Sequence, residues 1–536
     1  MENILKKTKI CIIFIVLIIF LVRIPTFFIE FLNVDELSEF LLTKEGLLGG
    51  IMFQDVLQVR FISYLYHYFA LYILGDGSTI GLHVLTSFIY VLCALGLFYI
   101  GILIKNRYIG FYSAIIYISN CILTYPENTA CMLESIVNLF IIHSILIILY
   151  LEVNNIEKIK KYILLFIVGI LIFLASLSKQ TGIIYIILPC IYFIYKIIVY
   201  KYKYFLDLLT VILGFFISIL ILLIYLYIND NVYNFVHYFF LTSFYQYLPL
   251  NQGYIWYETV IRFLESMFYI FIAQPILWIS SIFILFKFIK AKAILDINKD
   301  YIGLLLIWFI ISYFLFFAGG QNLFLHYLIY SFPVSSVLGG IFIYEILNKT
   351  IKNKLKYLKL LVRVIIFLPL IFFTIYYYYL ILNVNHDYCS SNYINKKNYV
   401  IPKDNIKKVI CYIKNNSNGN DRLFVWGEEV SIYYFTTKRI SAPYLWCKYL
   451  GYYNYNEKYK NKIQYFLYLD YQRLMENLNR KKPLYFVDCS TSDKCNFSYA
   501  KISKFPILYD FIKNNYKKVN TNNSTFDGID LYMLKE

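Results

Sequence analysis

Phe31-Leu32-Asn33-Val34-Asp35-Glu36-Leu37 follows directly on an apolar run from Ile10 to Ile29. That run is roughly the ~20 residues a helix needs to cross a bilayer. No small-residue cleavage site follows it, and it is long for a secretory signal, so it reads as a retained helix. Asp35 and Glu36 therefore stand where a first membrane span surfaces. The chain offers nothing like a soluble catalytic domain before its last third, so chemistry is expected at this face.

Composition agrees with a membrane protein. Of 536 residues, 60% are hydrophobic and only 15% charged, against about 25% charged in a soluble domain. The 57 Tyr and 47 Phe, with abundant Lys, Ile and Asn, read as the imprint of an AT-rich coding genome, which points to a bacterium. Some of these rings belong to interfacial belts. The net charge of +17 implies affinity for anionic lipid or polymer, and no nucleic-acid motif is present.

Apolar runs predict about eleven spans: 9–29, 79–104, 108–124, 129–151, 162–177, 183–200, 206–228, 262–288, 301–318, 326–346 and 361–382. Basic residues before the first span (Lys6, Lys7, Lys9) and after the second, fourth, sixth, eighth and tenth fall on one side; examples are Lys105, Lys158, Lys196, Lys287 and Lys349. By the positive-inside rule that side is the cytoplasm. The opposite loops hold Asp35, Glu36, Glu39, Glu45, Asp55, Glu127 and Glu258. The expected architecture is a polytopic α-helical membrane protein in a bacterial plasma membrane, N-terminus inside. Residues 1–382 form a transmembrane domain whose first outer loop is 30–78, and residues 383–536 form an extracytoplasmic α/β domain.

In that tail, Leu423–Trp426, Pro483–Val487 and Ile529–Met533 read as strands, and Lys403–Lys414, Lys462–Asn479 and Pro506–Val519 as amphipathic helices. Cys489 and Cys495 are close enough for a small disulfide loop, permitted in an exported domain. Unpaired thiols are the equal alternative, and no metal-ligand spacing appears.

Several residues invite chemistry, each with a plain structural reading beside it. Asp35 and Glu36 are either solvated charges or a base under a roof. The stretch Arg60-Phe-Ile-Ser-Tyr-Leu-Tyr-His67 reads as an amphipathic segment along the membrane that could build that roof. A carboxylate there loses water and becomes a better base. Glu134 lies two turns into an apolar helix, seven residues from Glu127 and on the same face. A carboxylate at that depth costs a few kcal/mol unless it faces a cavity or a partner. Lys179, in Leu177-Ser-Lys-Gln-Thr-Gly182, is either a snorkelling lysine or an anion ligand, with Gly182 and the turn's amides cradling a phosphate. Arg60, His67, His237, Arg262, His326 and Tyr327 complete the outer-face candidates. Carboxylates facing cations suit transfer of a group from a lipid phosphate, the carboxylate taking the acceptor's proton and the cations neutralising the leaving phosphate.

Asp-Glu after the first span, an acidic residue in the fourth, Ser-Lys-Gln-Thr-Gly, and His326-Tyr327 with a downstream Pro333 resemble the GT-C glycosyltransferase superfamily, in its protein O-mannosyltransferase and lipid A aminoarabinose transferase branch. Asp421-Arg-Leu-Phe-Val-Trp-Gly427, Ile432–Arg439, Phe505–Tyr516 and Asp530-Leu-Tyr532 are similar to the tail of bacterial relatives, so the likeness spans nearly the whole chain. It implies a polyprenyl-phosphate sugar donor, inversion at the anomeric carbon, and a lipid, glycan or protein acceptor of the cell envelope. It implies Asp35 as base with Glu36 beside it, and Glu134 near the sugar. Lys179 and Tyr327 fall around the donor phosphate with Arg60, and Glu127 and His67 towards sugar or acceptor. The basic residue many relatives carry before His326 is missing, leaving His326 or Arg262 as substitutes, and Glu134 is Glu where Asp is common. Relatives differ in using a divalent cation, and no cluster here compels one. Two other readings remain: a lipid-linked sugar flippase, although no inverted repeat is visible, and a glycan ligase or polymerase using lipid diphosphate donors.

Overall fold

The structure, a computed structural model, describes residues 2–28, 31, 33–51, 56, 60–74, 79–123, 130, 132–241, 275–289, 297–318, 325–352, 404–445, 447, 450–452, 462–491, 497–519, 526 and 528–536, with isolated positions within 261–268 and 364–379. Up to residue 352 the helices are α1 (Glu2–Arg23), α2 (Val34–Leu47), α3 (Phe61–Phe69), α4 (Thr79–Ile104), α5 (Arg107–Leu123), α6 (Leu133–Val153), α7 (Lys158–Ser178), α8 (Ile187–Tyr200), α9 (Phe205–Ile228), α10 (Val232–Phe235), α11 (Pro275–Ile289), α12 (Lys299–Ala318) and α13 (Phe332–Lys352).

Among the described residues, six segments are long and apolar enough to cross a membrane: Lys7–Phe28, Thr79–Ile104, Leu133–Val153, Lys158–Ser178, Gln180–Tyr200 and Tyr202–Ile228. The chain is a multi-pass membrane protein. The other expected spans fall on α5, α11, α12 and α13, which do not meet that measure, or outside the described residues, as most of 361–382 does.

Helix association in lipid relies on close backbone approach. At the α7–α9 contact a Cβ on Gly169 would collide with the Val211 carbonyl, and one on Gly214 with the Phe166 carbonyl. The rest of α9 keeps Leu213, Phe216 and Leu220 exposed, as a lipid-facing surface should. Among the predicted basic loops, Lys196, Lys161 and Lys287 are tied to acids. Lys196 Nζ lies 2.7 Å from Asp300 and 3.0 Å from Glu152, Lys161 reaches Asp207 at 2.5 Å, and Lys287 bonds Glu345. These pairs staple α6, α7, α8, α9, α11, α12 and α13.

The tail is a mixed sheet flanked by helices on both faces. Its strands are β1 (Arg422–Trp426), β2 (Arg439–Ile440), β3 (Tyr485–Asp488), β4 (Tyr516–Lys518) and β5 (Asp530–Leu534), in the order β2-β1-β3-β5-β4. β1 runs parallel to β2 and β3, whereas β5 is antiparallel to β3 and β4. Strand side chains alternate between faces. Leu423 and Val425 pack with α14 (Asp404–Asn415) and α15 (Ser431–Thr436). Phe424 and Trp426 pack with α16 (Lys462–Arg480) and α17 (Pro506–Asn515).

α2 shares the first of these cores. Phe31, Leu37, Phe40 and Leu41 are buried with Val409, Leu423 and Tyr433, and Phe31 meets Tyr434 edge-on at 4.8 Å. The first loop is thus built into the tail. One expectation for the tail is corrected and one open choice is decided. The helix expected to Val519 ends at Asn515, because Tyr516–Lys518 finds backbone partners along β5 while Tyr516 buries against Phe511. Cys489 is a buried thiol and not half of a bridge with Cys495. Cys411 is disulfide-bonded.

Candidate active site

Asn33 caps α2: its side chain accepts the Asp35 N–H at 2.7 Å. The cap places Asp35 and Glu36 in the first turn, where the helix dipole favours acids. From there the acids diverge. Glu36 is fully buried, 3.8 Å from Nδ1 of His83 on α4. Glu39 takes Arg60 at 3.4 Å and the Ser63 hydroxyl at 3.0 Å. Glu45 takes Arg422 at 3.2 Å and Arg439 at 2.8 Å, both from the tail. Asp35 is half-buried and, among the described residues, forms no ion pair. Asp55 lies outside the described residues.

α3 packs on α2 and α7. Its His67 is wholly buried, with Nδ1 2.8 Å from the Ser63 carbonyl. Burial pushes its imidazole below the ordinary histidine range even with Glu39 and Glu36 nearby. A second cluster lies at the end of α7, the helix on which α3 packs.

That cluster centres on Glu134, in the first turn of α6 and 2% exposed. Lys179, the residue that ends α7, bonds it directly. The Lys179 ammonium lies 4.1 Å from the Tyr327 ring centroid and 5.9 Å from that of Tyr330. Tyr330 shares a 2.8 Å hydrogen bond with Thr181. One turn below Glu134, Asn138 donates to the Ile329 carbonyl at 2.7 Å, pinning the 325–330 turn to α6. Lys179 is therefore the counter-ion of Glu134 in this structure. Gly182 does not offer a free cradle amide: its N–H donates to the Lys179 carbonyl at 2.8 Å. A Cβ there would strike the Ala175 carbonyl, so tight packing explains this glycine.

Glu127 and Arg262 lie outside the described residues, as does the His326 side chain. The sequence reading passed over Arg23 and His83. Arg23, 4% exposed, donates to Ser87 at 2.8 Å and lies 5.0 Å from the Tyr90 centroid. Tyr90 in turn bonds Ser135, beside Glu134, at 3.1 Å. The signal was available, because an ionisable side chain inside an apolar helix is itself a functional flag. Against this polar group lies an almost wholly apolar groove of about 340 Å³, lined by residues such as Leu65 and Phe69 of α3, Leu85 and Phe88 of α4, and Ile136 and Phe140 of α6. Among the described residues no group of three or more His, Cys, Asp or Glu is placed to hold a metal ion.

No family model and no curated protein matches the sequence. Solved structures match along nearly its whole length. ArnT from Cupriavidus metallidurans bound to undecaprenyl phosphate aligns over 98% of this chain and 97% of its own, with TM-score 0.54 and 12% identity. The same protein in the apo state gives a TM-score of 0.55 at 10% identity, over 97% of each chain. The archaeal oligosaccharyltransferase AglB from Archaeoglobus fulgidus, in complex with an inhibitory peptide and a dolichol-phosphate, aligns over 95% of this chain and 72% of its own, with TM-score 0.53 and 10% identity. The chain shares the overall fold of ArnT and of the oligosaccharyltransferase AglB. The likeness takes in the tail as well as the membrane helices, because it covers 98% of the chain.

Proposed function

We propose that the chain is an integral membrane glycosyltransferase that moves a sugar from a polyprenyl-phosphate donor to a lipid, glycan or protein acceptor of the cell envelope. The observation carrying this reading is Asp35, the acid of α2 that forms no ion pair among the described residues, beside three acids that are all engaged. Asp35 takes the proton of the acceptor hydroxyl as that oxygen attacks the anomeric carbon. The bond from that carbon to the phosphate oxygen breaks on the opposite side, and the phosphate leaves with the electron pair, so configuration inverts. Arg60 and Lys179 supply positive charge to the leaving phosphate, with Tyr327 holding the ammonium. Arg262 and His326 are candidates for the same task. Glu134 orients Lys179 and faces the sugar. Glu36 and His67 fix α2 and α3 around Asp35, and Glu127 is a further sugar contact. The apolar groove of α3, α4 and α6 suits the prenyl tail of such a donor.

The likeness to structures holding undecaprenyl phosphate and dolichol-phosphate supports this donor class. In the same reading residues 1–382 form the membrane domain with eleven spans, and residues 383–536 the outer domain. The protein resides in a bacterial plasma membrane with its N-terminus in the cytoplasm.

The test is transfer of radiolabel from a panel of polyprenyl-phosphate sugars into host membranes by the purified protein. Asp35→Asn is expected to lose at least ~100-fold in rate with unchanged thermal unfolding. Full activity in Asp35→Asn overturns the assignment of the base. Label that crosses the bilayer without joining an acceptor makes the protein a flippase instead, and transfer of an intact glycan block from a lipid diphosphate makes it a ligase.

A further inference from the structure

A cavity of about 440 Å³ lies where the turn after α9 meets α16 of the tail. One wall is Tyr233, His237 and Tyr238, and the other is Gln472, Arg473 and Arg480 with Glu476 and Asn477. None of these residues enters the transfer chemistry above.

The walls are held together by polar bonds. His237 Nε2 lies 3.1 Å from Asp470 Oδ1, both side chains buried. Arg473 donates to Tyr238 at 2.8 Å and to Asn234 at 3.1 Å, and its guanidinium lies 4.9 Å from the Tyr238 centroid. Arg473 is thus set in place before any ligand arrives. Arg480, one heptad further along the same helix face, is positioned by Asn477 at 2.9 Å. The residues lining the cavity carry two guanidinium groups and one carboxylate, Glu476.

Two features define what fits. The exposed Tyr233 ring offers a flat apolar face with a polar edge, suited to the C–H face of a sugar ring, and the exposed Gln472 amide provides a donor and an acceptor for hydroxyls. The guanidinium groups select a planar carboxylate or a phosphate. The volume lies in the range of small-molecule sites. The cavity also communicates with the catalytic cluster: Gln180, next to Lys179, donates to the Phe239 carbonyl at 2.9 Å, and Phe239 follows Tyr238 directly.

We infer that this cavity is a subsite for a saccharide bearing a carboxylate or phosphate, gripping the acceptor while its hydroxyl is presented to Asp35. The acceptor role rests on the glycosyltransferase reading; the binding site itself does not.

The experiment is calorimetric titration of the purified full chain with methyl glucuronide, glucose 6-phosphate, methyl glucoside and inorganic phosphate. The two anionic sugars should bind, with methyl glucoside and inorganic phosphate at least ~10-fold weaker. Arg480→Gln, at an exposed position whose loss leaves the His237–Asp470 contact in place, should weaken the anionic sugars roughly 10-fold with unchanged thermal unfolding. Asp35→Asn should bind them like wild type. Equal binding of the neutral glucoside, wild-type binding by Arg480→Gln, or no binding of either anionic sugar overturns the subsite. Selective binding in a protein that transfers no sugar from any donor keeps the subsite and removes the transferase reading. Whichever anionic sugar binds tighter separates a carboxylate-bearing acceptor from a phosphate-bearing one.

Discussion

At the scale of single residues, the Glu134–Lys179 pair shows how a membrane interior makes charge consequential. Removing one partner leaves the other buried and uncompensated, which costs about 3–5 kcal/mol. Lys179→Met is therefore expected to lower thermal stability by that order. The double variant Lys179→Met with Glu134→Gln should regain most of it while staying inactive, and unfolding scans in detergent beside transfer assays check both. Asp488, buried at the end of β3, accepts both the N–H and the hydroxyl of Ser490. Burial, together with Asp530 opposite it, raises its carboxyl to about 6. Between the ordinary carboxyl range near ~4 and that value, the folded state binds a proton that the unfolded state has released. Stability therefore falls as pH rises through this window and levels off above about 6. Asp488→Asn keeps an acceptor oxygen without the charge. It should match wild type below pH ~4 and exceed it by about 3 kcal/mol at pH 7, in chemical denaturation of the tail.

At the scale of elements, the cap of α2 ties local structure to chemistry. Asn33→Ala is expected to cost about 1 kcal/mol in stability, yet to reduce transfer out of proportion, because Asp35 is held two residues into the helix it caps. A fall in kcat with little change in unfolding temperature would show this; an equal fall in both would not. Elements were also where sequence reading worked best and failed most informatively. Helix edges such as Thr79–Ile104 followed from hydropathy alone. β1, β3 and β5 followed from short apolar runs. β4 did not, because Tyr516-Lys-Lys continues the amphipathic pattern of α17 and becomes a strand through the open edge of β5, a partner reached only after the chain returns from residue 530.

At the scale of the whole molecule, Glu45 joins the first loop to the tail through Arg422 and Arg439. Both bonds are charge-assisted, and the carboxylate is only 3% exposed. Glu45→Ala should cost about 2–3 kcal/mol and loosen α2. Hydrogen exchange would then rise in α2 and β2 together, whereas exchange confined to β2 would place the coupling elsewhere. The tail thus controls the segment that carries Asp35 as well as lying over the membrane helices.

The sequence by itself determined that the chain lives in a membrane and where its main helices run. Each of these rests on hydropathy, charge and side-chain period within tens of residues. That Glu134 needs a partner was equally legible, since a carboxylate in an apolar helix announces itself by its cost. Only the tertiary structure decided that Lys179 is its partner across 45 positions and that Glu45 meets Arg439 across 394. It also decided that Asp35 is the acid of α2 left without an ion pair among the described residues. Such pairings depend on which helix faces pack together, and that packing is set by contacts distant in the chain that no local period records.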